Sequence, residues 1–138
     1  MFERAERRRS LPRRLTWIGD GTVILLFAAL GRASHNSQAG GPIAGTLLVA
    51  APFLAGWYVG AAVTGAYSAR SLGDLRTCAR TTAAGWVLGS LIGLGIRCIA
   101  EHRLVPAGFA IVTLLFNAAL LLGWRLLTLY IANVRRRP

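Results

Sequence analysis

No lysine occurs in this chain, and acids are scarce: five Asp and Glu stand against sixteen arginines. Arginine can recognise anions bidentately where lysine cannot, but a chain-wide absence of lysine points to no one site. We read it as the codon bias of a GC-rich bacterial genome. Cysteine is nearly missing too, with only Cys78 and Cys98. If one helix carries both, they stand about 30 Å apart, far beyond the ~7 Å limit between Cα atoms for a disulfide. A redox pair is excluded, and no metal-binding cysteine spacing exists. Long polar stretches are the third thing lacking, which leaves no room for a soluble catalytic domain.

What fills the chain instead is apolar. Of 138 residues, 54% are hydrophobic, and the mean hydropathy is +0.51. A membrane-crossing helix needs about 20 predominantly apolar residues. Four blocks qualify, at 15–30, 43–67, 81–99 and 106–131. They form one transmembrane domain, 15–131, flanked by basic tails at 1–14 and 132–138. The first block has the basic approach and apolar core of a secretory signal. An acid inside that core, Asp20, and three further blocks favour a retained helix.

A net charge of +11 invites a nucleic-acid reading, since basic patches bind phosphate backbones. The placement of the arginines argues for topology instead. Six lie in the N-terminal tail, three in the second connection (Arg70, Arg76, Arg80) and three at the end (Arg135, Arg136, Arg137). With four spans these regions share one side, and only Arg32, Arg97 and Arg103 remain for the other. That bias puts both termini in the cytoplasm of a bacterium, with the chain multi-pass in the inner membrane. The tails then meet anionic lipid, not nucleic acid.

The connections are short, which predicts an all-α, up-down-up-down four-helix bundle. Pro42 and Pro106 stand where the second and fourth helices begin. Gly85, Gly89 and Gly93 recur every fourth residue, and Gly56 and Gly60 do the same. Glycines at this spacing let backbones approach closely in lipid. The preferred reading is a tight hairpin of the second and third spans; the alternative is a dimer face.

Asp20 followed by "FAALGRASH", then "APFLAGW", Trp86, Arg97 and "LLGWR" resembles domain-of-unknown-function family 3054, small bacterial and archaeal integral membrane proteins. The resemblance covers residues 15 to 130. It implies four membrane helices and supplies no activity, cofactor or substrate.

The polar residues within the apolar blocks are the candidate site. Asp20 lies roughly 8 Å inside the cytoplasmic edge, and Arg125 about as deep from the same edge. A charge in hydrocarbon is expensive unless paired or neutralised, so the expected partner of Asp20 is Arg125. The alternative lets Arg125 reach the headgroups while Asp20 meets backbone or Trp donors. Trp17, Trp86 and Trp124 fall near the cytoplasmic helix ends, with Trp57 deeper. They form either an aromatic belt or a Trp-lined pocket beside Asp20. Thr113, Asn117, Trp124 and Thr128 share one face of the fourth helix, and Asn117 near mid-membrane is the least expected of them.

On the opposite side Arg32, Ser34, His35, Arg97, Glu101, His102 and Arg103 gather at two helix ends. Their spacing is too loose for a metal or haem site, and charge pairing of Arg32 or Arg97 with Glu101 is the ordinary expectation. No cofactor is expected.

Three function classes follow. An accessory or structural membrane subunit, assembling with a membrane-protein partner, fits best. The alternative is an oligomeric carrier or channel for a small solute or proton, with Asp20 as its ionisable group. A lipid-modifying enzyme ranks last, because no nucleophile–base pair or catalytic constellation is visible.

Overall fold

The computed structural model describes residues 11–34 and 40–135, so His35, Arg136, Arg137 and most of the N-terminal tail lie outside the described residues. Within them the chain is all helical, with no strand. Four helices follow in order: α1 (Arg13–Ser34), α2 (Pro42–Val63), α3 (Leu75–Glu101) and α4 (Ala107–Val134). At a rise of 1.5 Å per residue they measure roughly 33 to 42 Å, enough for the ~30 Å hydrocarbon core of a bilayer. All four are long and apolar enough to cross a membrane.

Local chemistry sets the ends. Gly41, at φ 73°, hands the chain to Pro42 at the start of α2, where a proline loses nothing because that N–H has no intrahelical acceptor. The helix stops at Val63, short of Tyr67, because the chain turns through Gly65 at φ 70°. Ala66 N–H then donates back to Ala61 O (2.9 Å). The turn matters, because it frees Tyr67 to point into the bundle. Helix α3 begins at Leu75, ahead of Thr81, because Asp74 caps it: its carboxylate accepts from Thr77 N (2.7 Å) and Thr77 Oγ1 (2.6 Å). That early start places Trp86 deeper in its helix than the hydropathy pattern implies. At the far end His102 takes the left-handed conformation (φ 52°) that closes a helix.

Each helix packs against two others: α1 on α2 and α4, α3 on α2 and α4. The four close into a ring around one interior. The tightest seam joins α2 and α3, where facing positions run in opposite order. A Cβ on Gly56 would overlap Gly89 O, and one on Gly60 would overlap Gly85 O. Thr64 Oγ1 donates at this seam, within reach of both Gly60 O (2.9 Å) and Thr81 O (3.1 Å). The α1–α4 seam is looser: the Phe27 and Phe116 rings lie 6.3 Å apart, and Gly19 makes room for the Trp124 indole.

The burial pattern is inverted relative to a protein that folds in water. Outward positions carry Leu26, Leu48, Val63, Leu91, Ile111 and Phe116, all exposed. Buried positions include Thr16, Asp20, Thr82, Ser90, Thr113, Asn117 and Arg125. Lipid tails are as apolar as leucine, so apolar side chains gain little by turning inward. Polar ones gain a great deal.

Candidate functional site

The interior polar residues come from periodic stripes. On α1 the buried positions are Thr16, Asp20, Ile24 and Ala28; on α4 they are Thr113, Asn117, Leu121, Arg125 and Leu129. Both repeat every fourth residue, so each helix offers one line of side chains to the bundle axis. Where the two lines meet near one end of the bundle, Asp20 faces Arg125.

The two side chains are wholly buried and form a close ion pair. Arg125 Nη2 lies 2.6 Å from Asp20 Oδ2, and Nε donates to Oδ1 at 3.0 Å. Such a fork matches both carboxylate oxygens. Its remaining nitrogen, Nη1, donates to Ala66 O (3.0 Å) and Thr82 Oγ1 (3.3 Å). Tyr67 completes the other side of the carboxylate, its hydroxyl donating to Asp20 Oδ2 at 2.5 Å while accepting from Trp57 Nε1 at 3.2 Å. The guanidinium carbon stands 4.7 Å from the centre of the Tyr67 ring and 5.0 Å from that of Trp57. These distances suit cation–π attraction, which strengthens without water.

Every element of the bundle contributes to this cluster. Asp20 belongs to α1, Trp57 to α2, Ala66 and Tyr67 to the connection, Thr82 to α3 and Arg125 to α4. A buried ion pair repays its desolvation only when the leftover hydrogen-bonding groups are satisfied. Here each guanidinium nitrogen and each carboxylate oxygen has a partner. We call it the clasp.

The tryptophans separate into two pairs. Trp57 and Trp86 are core residues with ring centres 6.4 Å apart, and Trp86 Nε1 donates across to Leu114 O (2.9 Å). Trp17 is 52% exposed and stacks on Tyr58 at 4.6 Å. Tyr58 in turn donates to Trp17 O (2.8 Å), tying α1 to α2. Trp124 and Thr128 sit one position to the side of the buried α4 line, both half-buried. Trp124 Nε1 is buried without a protein partner.

The residues matched by the model of the DUF3054 family, whose description reads "Protein of unknown function", are 17–128. That span holds every member of the clasp and all four helices in large part. The chain belongs to the DUF3054 family. No curated protein and no solved structure matches it.

In this DUF3054 protein the opposite end of the bundle is held by ordinary charge pairing. Glu101 takes Arg97 at 2.7 Å and Arg103 at 3.1 Å, and Arg97 also covers the Phe109 ring at 4.7 Å. Arg32 is elsewhere: it donates to Gly41 O (3.1 Å) and lies over Gly45, joining the end of α1 to the start of α2. Ser34 turns back to Leu30 O (2.8 Å). Among the described residues no group of three or more His, Cys, Asp or Glu side chains comes together as a metal would need.

Tyr67, Thr82 and the Ala66 carbonyl did not stand out in the sequence. Tyr67 reads as the last residue of an apolar block and Thr82 as one more small residue. The available signal was the "TGAYS" break, where a glycine ahead of an aromatic marks a turn inside what passes for a span.

Proposed function

We propose that this multi-pass protein is an accessory or structural membrane subunit. In this reading it forms an up-down-up-down bundle in the bacterial inner membrane, both termini cytoplasmic, with the arginine-rich tails on anionic lipid. The observation that carries it is the clasp. The one buried acid of the helices, Asp20, is engaged by three donors of two side chains and binds the four helices to one another. A carboxylate held this way serves architecture. A transport group has to exchange partners, and each partner here is a fixed part of the fold.

Support for the orientation comes from charge. Arg13, Arg14, Arg70, Arg76, Arg80 and Arg135 flank the bundle end nearest the clasp. Glu101 pairs with two of the three arginines at the other end. The exposed apolar surface supplies room for a partner helix, and the interior glycine seam is already used within the chain.

One observation favours a carrier as the second reading. Asn117 and Thr113 are buried in the first half of α4 with polar atoms that no protein group meets. Native mass spectrometry of the gently solubilised protein separates the two. A second protein at fixed stoichiometry supports the subunit. A homo-oligomer holding a small molecule that Asp20→Asn releases, with the oligomer itself intact, supports the carrier and defeats the subunit.

A further inference from the structure

Along the α4 line, two turns from Arg125 toward the other end, stands a second polar group unlike the clasp. The Asn117 side chain is 0% exposed and Thr113 is 1% exposed. Asn117 Oδ1, Asn117 Nδ2 and Thr113 Oγ1 all lack a hydrogen-bonding partner within the protein. An amide offers two N–H donors and an acceptor oxygen, and a hydroxyl offers one donor and two lone pairs. Left unmet in an apolar interior, each such atom carries a desolvation penalty of the size of a lost hydrogen bond. Two such residues in one turn of one helix are hard to reconcile with a dry core.

Two buried polar side chains of α3 direct their donors to backbone carbonyls. Trp86 Nε1 donates to Leu114 O, in the same turn of α4. Ser90, one turn further along α3, donates to Val87 O at 3.0 Å. Toward the clasp the next residue on the line is Leu121, wholly buried and apolar. The clasp, beyond that leucine, has its own partners. Asn117 and Thr113 together offer donors and acceptors without charge, which suits a small molecule that itself both donates and accepts. They are spaced one helical turn apart, about 6 Å, the distance a single small molecule bridges between two polar side chains.

We infer that Thr113 and Asn117 form a binding site for buried water inside the bundle, in the half away from the clasp. A buried water makes about three hydrogen bonds to polar groups that lack other partners. This pair provides the mixture of donors and acceptors it requires. Leu121 closes the site on the clasp side, so the water is kept apart from Asp20 and Arg125.

The test is magnetisation transfer from water to side-chain amides in protein labelled with 15N-asparagine and held in lipid nanodiscs. Only three asparagines occur, Asn36, Asn117 and Asn133. N36S and N133S assign the Asn117 signal by elimination, with no substitution at the site itself. A water cross-peak to the Asn117 Nδ2 protons is expected. Thr113→Val, which keeps the shape and removes the hydroxyl, is expected to abolish or weaken it severalfold. Transfer only from acyl-chain protons, or no transfer, overturns the site. An undiminished cross-peak in Thr113→Val overturns the shared site as well.

Discussion

At the scale of single residues the clasp concentrates the energetics. Removing one member of a buried, hydrogen-bonded ion pair leaves a charge without its counterpart and costs about 3–5 kcal/mol. Replacing both partners removes the charge problem with the pair. Asp20→Asn and Arg125→Met are therefore each expected to destabilise the fold by that amount. The double variant is expected to lose clearly less than the sum. Unfolding midpoints in mixed detergent and SDS measure all three, and additive losses would show that the two residues act separately. Tyr67→Phe deletes the hydroxyl that bridges Asp20 and Trp57, an expected cost of about 1–3 kcal/mol for a hydrogen bond to a charged group. Asp20 and Arg125 were legible in the sequence because charge in an apolar block is conspicuous and helical rise puts the two at one depth. Tyr67 was not, because its role depends on a turn at Gly65 that brings it back beneath the end of α2, and hydropathy does not register turns.

At the scale of elements, glycines on the α2–α3 seam and glycines elsewhere make opposite predictions. Gly56→Ala and Gly89→Ala drive a methyl into the facing backbone and are expected to cost on the order of 1–3 kcal/mol, as overpacking does. Gly95 and Gly123 face open space. Alanine there is expected to leave stability unchanged or raise it by up to about 1 kcal/mol through helix propensity. Equal losses at all four positions would remove the seam from the account. The cap of α3 adds a pH dependence. The Asp74 carboxyl is held below its ordinary value by the Thr77 hydroxyl and then the Thr77 N–H, with Arg70 and Arg76 nearby. A depressed value means the carboxylate form contributes stability above the ordinary range near 4. That contribution is lost as pH falls through the lowered value. Comparing unfolding midpoints of the wild type and Asp74→Asn across pH 2 to 6 checks it: the wild type should lose its advantage only at the acidic end. Helix ends were the least legible part of the fold, since α2 stops early and α3 starts early for reasons of turn and cap chemistry that an apolar block does not encode.

At the scale of the whole molecule the proposed orientation puts the clasp end in the cytoplasm, and the chain's own thiols are a poor probe of it. Cys78 is fully buried and Cys98 half-buried, so an impermeant reagent that misses Cys78 reports burial as readily as sidedness. Exposed positions at the two ends avoid the ambiguity. Arg76 is exposed beside the start of α3, and Arg103 lies at the far end with its side chain 72% exposed. In a background of Cys78→Ser and Cys98→Ser, Arg103→Cys is expected to react with a membrane-impermeant maleimide in intact cells with the outer membrane opened. Arg76→Cys is expected to react only after the inner membrane is breached. Each substitution removes one arginine from its own end, so the charge difference proposed to orient the protein is little changed and the probes report on the native arrangement. The reverse labelling pattern would invert the bundle and place the clasp near the outer face. The clasp and the glycine seam would survive that result, since both depend on contacts within the chain, whereas the assignment of the arginine tails to anionic cytoplasmic lipid would not.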